Sequence, residues 1–176
     1  MRDQLLQLIP EFLEIQDPDL RERTLACFED ALQRGGWVPD DLRTMPFTLL
    51  LDPCPASMAE HVRGNVLVSL GAFDAMKKIY GDRIPLNRDI LVSGALLHDV
   101  GKLLEYARKD GKVVKSRNGK LLRHPMSGTA LAFHHGLPEE VQHIIAVHAK
   151  EGEGFKRTPE AVILHHADFT NFETFH

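Results

Sequence analysis

Ile90-Leu91-Val92-Ser93-Gly94-Ala95-Leu96-Leu97-His98-Asp99-Val100-Gly101-Lys102 runs from an almost wholly apolar segment into an adjacent imidazole and carboxylate, then a glycine and a lysine. A helix that is apolar on nearly every side is buried on nearly every side. Its last turn therefore carries His98 and Asp99 into a place from which water is excluded. A carboxylate buried without a partner is costly, or it takes up a proton. A bound divalent cation removes that penalty, because imidazole nitrogen and carboxylate oxygen are both common ligands of such ions. Gly101 permits a sharp exit, and Lys102 adds a positive charge beside the pair. The stretch reads as part of a metal site built on a central helix.

Working outward, Asn87 is placed to cap this helix, after turn residues Gly81, Asp82 and Pro85. Upstream, Ser57-Met58-Ala59-Glu60 has capping-box spacing and opens a helix to about Tyr80, with an apolar face at Val62, Val66, Leu67, Leu70, Phe73, Met76 and Ile79. His61 falls in its first turn. Residues 37–56 are rich in proline and predict a connecting loop that closes over the domain. Before them come a helical stripe over residues 1–16, interrupted by Pro10, and a helix opened by Asp17-Pro18 and ended by Gly35-Gly36. These N-terminal helices predict packing or self-association into a homo-oligomer.

Downstream, a short helix is expected through Leu103, Leu104 and Tyr106. Asp110-Gly111 and Asn118-Gly119 mark turns around residues 112–115 and 120–122, which predict a small β-hairpin or flap. Three helices follow: one after His124-Pro125 ended by Gly136, one from Pro138 to near His148, and one capped by Thr158-Pro159 that carries Asp168. The fold class is all-α. Residues 1–56 are read as N-terminal helices and a loop packed on a core of residues 57–176, in one globular unit.

The chain's 176 residues, 43% hydrophobic and 26% charged, are ordinary for a globular domain. A net charge of −4 argues against general nucleic-acid binding by a basic face. Cys27 and Cys54 lack metal or redox spacing, no basic-then-apolar leader is visible, and no apolar run has membrane length. A reducing cytoplasm is expected. The unusual feature is ten histidines.

His61, His98, Asp99, His124, His148 and Asp168 lie on different predicted helices or at their ends, so a bundle can bring one side chain per element to a common centre. In this order they resemble the HD superfamily of metal-dependent phosphohydrolases. The run Leu96-Leu97-His98-Asp99-Val100-Gly101-Lys102 is similar to its signature, His61 to its first histidine, and Asp168, after His166-Ala167, to its final aspartate. The resemblance covers residues 57–172. His124-Pro125-Met126-Ser127-Gly128 is similar to the His-Pro-x-x-Gly of dinuclear phosphodiesterases, and His148 falls where their next ligand stands. The resemblance implies two divalent metals, with His61, His98, Asp99 and Asp168 on one, His124 and His148 on the other, and Asp99 bridging. Ala149-Lys150-Glu151 departs from the HD-GYP cyclic-dinucleotide enzymes, which puts cyclic dinucleotides in doubt.

Such a site implies hydrolysis of a small, nucleotide-like phosphate ester or phosphodiester. Two cations about 3.5–4 Å apart lower the pKa of a shared water and hold it in line with phosphorus. Asp99 and Lys102 are then the catalytic candidates. Lys102 and Lys150 are candidate phosphate contacts, and His165, three residues before Asp168, is a candidate substrate contact. Mixed-valent diiron oxygenases use almost the same ligands, and a non-catalytic nucleotide or metal sensor is the third reading. Mn, Fe, Zn, Ni, Co and Mg are all compatible with the ligand types. His134, His135 and His143 read as solvated or structural, and His176 as a disordered terminus. Against the ordered set, reading His98 as an ordinary helix end favoured by the dipole is the weaker account.

Overall fold

Pro10 divides the N-terminal apolar stripe into α1 (Arg2–Leu8) and a 3₁₀ turn (Pro10–Glu14) in the computed structural model, which describes residues 1–175. The expectation for His176 lies outside the described residues. Asp17 caps α2 (Pro18–Gly35), and Gly36 ends it in the left-handed conformation at φ 72°. The packing expected of these helices forms: Leu5, Ile9, Phe12 and Ile15 of the N-terminal stripe, and Phe28 and Leu32 of α2, are all buried in the core, while Leu13 is exposed. Polar contacts hold this part to the remainder. Arg63 pairs with Glu11, Arg88 with Glu14, and the Asp89 carboxylate accepts from the backbone N–H groups of Gln16 and Asp17.

A capping box between Ser57 and Glu60 opens α3 (Met58–Tyr80) as expected. Its buried face is Met58, Ala59, His61, Val62, Asn65, Val66 and Ser69, whereas Leu67 and Ile79 point outward. The expected apolar face was therefore too wide, because α4 (Arg88–Leu97) and α9 (Pro159–Glu173) cover only one side of α3. Asn87 caps α4 (Arg88–Leu97), whose residues 90–97 are buried without exception. Packed against α2, α3, α8 (Glu139–Val147) and α9, this helix is the axis of the bundle. Thr24 and Ser93 satisfy each other across the α2–α4 contact at 2.8 Å, so neither hydroxyl is left unpaired in the core.

α5 (Lys102–Glu105) ends one residue earlier than expected, and Tyr106 starts a strand. The hairpin forms between β1 (Tyr106–Lys109) and β2 (Lys112–Lys115), antiparallel, with Tyr106 opposite Lys115. Asp110 and Gly111, at φ 51° and 75°, make the turn, as paired positive-φ residues do in tight hairpins. Residues 120–122 form no strand. Ser116 caps a short helix there, α6 (Arg117–Leu121), so Asn118-Gly119 is helical. The chain continues as α7 (His124–His134), α8 (Glu139–Val147) and α9 (Pro159–Glu173), with Thr158 capping α9. No described helix is long and apolar enough to cross a membrane.

Candidate metal centre

α4 stops at Leu97, and the next two residues lie where α3, α7, α8 and α9 converge. Asp99 is almost wholly buried and presents its two oxygens to different groups. Oδ2 lies 3.2 Å from His61 Nε2 and 3.4 Å from His98 Nε2. Asp168 Oδ1 joins this side, 3.1 Å from His61 Nε2 and 3.7 Å from His98 Nε2. Oδ1 of Asp99 lies 3.3 Å from His124 Nε2 and 3.7 Å from His148 Nε2. The fold thus brings together His61, His98, Asp99, His124, His148 and Asp168, in two groups that share one carboxylate.

The donor chemistry fits a cation in each group. His148 Nδ1 donates to the carbonyl of Ile145 at 2.7 Å, and His124 Nδ1 to the Glu105 carboxylate at 3.2 Å. A carbonyl or an ionised carboxylate only accepts, so both protons sit on Nδ1. The two Nε2 lone pairs then face one another across 3.3 Å, beside a carboxylate oxygen. Such a cluster of acceptors is unfavourable until something positive stands among them. In the other group two carboxylates surround two imidazoles, which likewise calls for positive charge.

The electrostatics of the two groups differ. Burial pushes His124 down to about 4, so the imidazole is neutral at physiological pH and keeps its ligating lone pair. Burial would also depress His98, but Asp99 and Asp168 outweigh it and raise the group to about 10, so without a cation a proton on His98 supplies the positive charge that those two carboxylates call for. Burial works against the charge on Asp99, yet Lys102 and His98 hold its carboxyl well below the usual carboxylate range. Lys102 Nζ lies 2.6 Å from Asp99 Oδ2 and donates to the Phe47 carbonyl at 2.8 Å.

The site forms the floor of a cavity of about 540 Å³. Lys102, Lys115, Arg123 and Lys150 reach its lining, as do Phe47, Phe169 and Phe172. Arg123 is held by Glu105 and Glu151, and Lys115 lies 3.7 Å from Glu105. Lys150 makes no ion pair among the described residues. His165 lies elsewhere. Its Nδ1 is 2.6 Å from the backbone carbonyl of His148, and it does not line the cavity, so its contact is with the backbone that carries His148. Of the remaining histidines, His135 pairs with Asp30 at 3.0 Å and His143 Nε2 accepts from the Thr158 backbone at 3.3 Å.

Residues without a motif complete the centre. Phe47, from the proline-rich loop, stacks on His61 with ring centroids 4.3 Å apart. Asn65 could have been found, since it follows His61 by four residues and so shares its helix face. Glu105 carried no such signal. It accepts from both the backbone N–H and Nδ1 of His124. Partners of metal-bound histidine of this kind are worth about 10–100-fold in metal affinity. Glu105→Gln should therefore weaken metal binding at His124 and His148 by about that factor, read by titration of the metal-free protein. Unchanged affinity would show that His124 is oriented by packing alone.

A family model for the HD domain matches residues 59–170, and the chain belongs to the HD-domain family. HD domains bind divalent metal ions, and the buried His/Asp groups of this chain are suited to hold one. Among curated proteins it is similar to the dihydroneopterin 2',3'-cyclic phosphate phosphodiesterase of Methanocaldococcus jannaschii, 32% identical over 168 residues. That alignment covers 88% of this chain and 64% of the relative, so the chain spans less than two thirds of the relative's length. No solved structure matches the chain.

Proposed function

We propose that this protein is a divalent-metal-dependent phosphohydrolase acting on a small phosphodiester or nucleotide-like phosphate ester. One observation carries the reading: Asp99 offers one oxygen to His61 and His98 and the other to His124 and His148, at the floor of a cavity with a cationic rim. Two cations are assigned, one to His61, His98, Asp99 and Asp168, the other to Asp99, His124 and His148. Bound there, such ions supply an activated water and take up charge on the phosphoryl oxygens. The protein's own groups do the remainder. Lys102 offsets the charge of Asp99 and has an N–H left over after its bonds to Asp99 and Phe47, enough to steady a phosphoryl oxygen. Lys150, free of an ion pair among the described residues, is the rim cation best placed to draw in a phosphate. His165 acts through the His148 carbonyl, not on the substrate.

Phe47, Phe169 and Phe172 give the cavity an aromatic wall, which suits a planar ring carried by the ester. The relative, by its name, acts on a cyclic phosphodiester of a pterin, and a cyclic phosphodiester attached to a planar heterocycle is the substrate class proposed here. Two free cysteines support placement in a reducing compartment such as the cytoplasm.

The test is hydrolysis by purified protein with added Mn²⁺, using a nucleoside 2',3'-cyclic phosphate, bis(4-nitrophenyl) phosphate and 4-nitrophenyl phosphate. Turnover of the diesters well above the monoester, and its disappearance with a chelator, is the expected result. Oxygen uptake without release of ester product, at full metal occupancy, would replace this reading with the diiron oxygenase. Metal binding with neither activity would favour the sensor.

A further inference from the structure

Tyr106 is buried, with 5% of its surface exposed, and it lines the cavity above the metal centre. It follows Lys102 by one turn: its backbone N–H donates to the Lys102 carbonyl, which ends α5, and β1 begins with it. In the hairpin its register partner is Lys115, so both side chains leave the face that lines the cavity. The phenol hydroxyl makes one hydrogen bond among the described residues, to the Phe47 carbonyl at 3.5 Å. That is long against the usual O–H···O distance of about 2.7–2.8 Å. Lys102 Nζ already donates to the same carbonyl at 2.8 Å. A buried tyrosine hydroxyl ordinarily finds a close partner. This one stands beside the Lys102 ammonium with a proton to offer to whatever occupies the cavity.

We propose that Tyr106 is a catalytic residue, the acid that protonates the leaving oxygen of the phosphodiester. The proposal rests on the phosphohydrolase reading above. Water supplies the hydroxyl that bonds to phosphorus, and the bond from phosphorus to one ester oxygen breaks. That oxygen leaves with the electron pair and takes the proton of the Tyr106 hydroxyl. Solvent receives the proton lost by the attacking water, and the phenolate regains one from solvent as the product departs. A sugar alkoxide is a strongly basic leaving group, so a positioned acid speeds its expulsion. Burial pushes the Tyr106 phenol up to about 12, so it carries its proton at physiological pH. Lys102 works the other way and steadies the phenolate once it forms. The other donors of the lining are engaged or remote. Lys102 is held by Asp99 and the Phe47 carbonyl, Lys115 and Arg123 lie against Glu105, and Lys150 is exposed at the rim.

The experiment compares wild type with Tyr106→Phe, at saturating Mn²⁺, on two diesters that differ in their need for a proton. A nucleoside 2',3'-cyclic phosphate expels a sugar alkoxide, whereas bis(4-nitrophenyl) phosphate expels 4-nitrophenolate, which departs unprotonated. Tyr106→Phe should lower kcat on the cyclic phosphate by about 10²-fold or more and leave kcat on the aryl ester within about threefold. Metal content should match wild type, because the hydroxyl bonds to no candidate ligand. Across a series of aryl phosphodiesters, the rate of Tyr106→Phe should rise more steeply with leaving-group acidity than that of wild type. If wild type accepts aryl esters alone, that series decides. Equal losses on both esters, or parallel slopes in the series, would show that Tyr106 only supports the loop or the hairpin and would overturn the proposal. So would a variant as fast as wild type on the cyclic phosphate. Wild type that hydrolyses no diester at full metal occupancy would overturn the phosphohydrolase reading itself, and this proposal with it.

Discussion

Asp99→Ala should strip metal from both positions and lower phosphodiester turnover by at least about 10³-fold. The size of the effect follows from the carboxylate's two-sided use. Oδ2 faces His61 and His98, Oδ1 faces His124 and His148, and the other carboxylate of the cluster, Asp168, lies beside the first pair alone. Asp168 faces only His61 and His98, so Asp168→Ala should remove about one equivalent of metal where Asp99→Ala removes both. Elemental analysis after dialysis reads the metal, and hydrolysis of a cyclic phosphodiester reads the chemistry. Circular dichroism checks that Asp99→Ala still folds, because the substitution removes the carboxylate partner of the Lys102 ammonium and leaves it with the Phe47 carbonyl and ring. Folded Asp99→Ala protein that keeps its metal would refute the bridging role.

Gly101→Ala should be the most damaging addition of a single carbon near the site. Gly101 has helical angles, φ −64° and ψ −18°, so alanine is not excluded by backbone conformation. Its neighbours exclude it. A Cβ would fall 2.1 Å from the carbonyl oxygen of His124 and 2.8 Å from the Gly128 backbone nitrogen. Both belong to the main chain of α7, so a side-chain rotation cannot relieve the clash, and the first turn of that helix must move with His124 on it. Overpacking of this kind costs about 1–3 kcal/mol, and a rigid neighbour puts it near the upper end. In a chain of this length that lowers the melting temperature by roughly 5–10 °C. Weaker metal binding at His124 and His148 should accompany it. Gly71→Ala is the control: nothing lies within 4 Å of its Cβ, and alanine in an exposed helix interior should raise stability by about 0.5–1 kcal/mol. A Gly101→Ala protein that melts no lower than wild type would show that α7 can shift at little cost.

How far the amino-acid sequence reached depended on whether the signal was local. Caps were legible, because Asn87, Ser57 with Glu60, and Thr158 each satisfy backbone donors within a few residues of themselves. The burial of α4 was legible from its uniform apolarity. Which strands would pair was less so. Asp110-Gly111 and Asn118-Gly119 are both turn dipeptides, and only Ser116 capping a helical turn over the second decides between them. The apolar width of α3 was misread for the same reason. Leu67 and Ile79 have helical spacing, but α4 and α9 cover only one side of the helix.

The candidate ligands belong to the first kind and their surroundings to the second. By itself the sequence determined an all-α chain whose central buried helix ends in His98 and Asp99, and it ordered the other candidate ligands one to a helix. Residue type and position along the chain suffice for that, because a carboxylate carried into a dry core needs a counter-charge, and an imidazole a polar partner, wherever the remainder of the fold goes. Only the tertiary structure decided that the two oxygens of Asp99 serve different histidine pairs, that Glu105 orients His124, that Phe47 stacks on His61, and that the Asn65 amide faces one pair and not the other. Each of those facts is a distance of a few ångströms between residues far apart in the chain, fixed by how helices pack and not by the identity of any one residue.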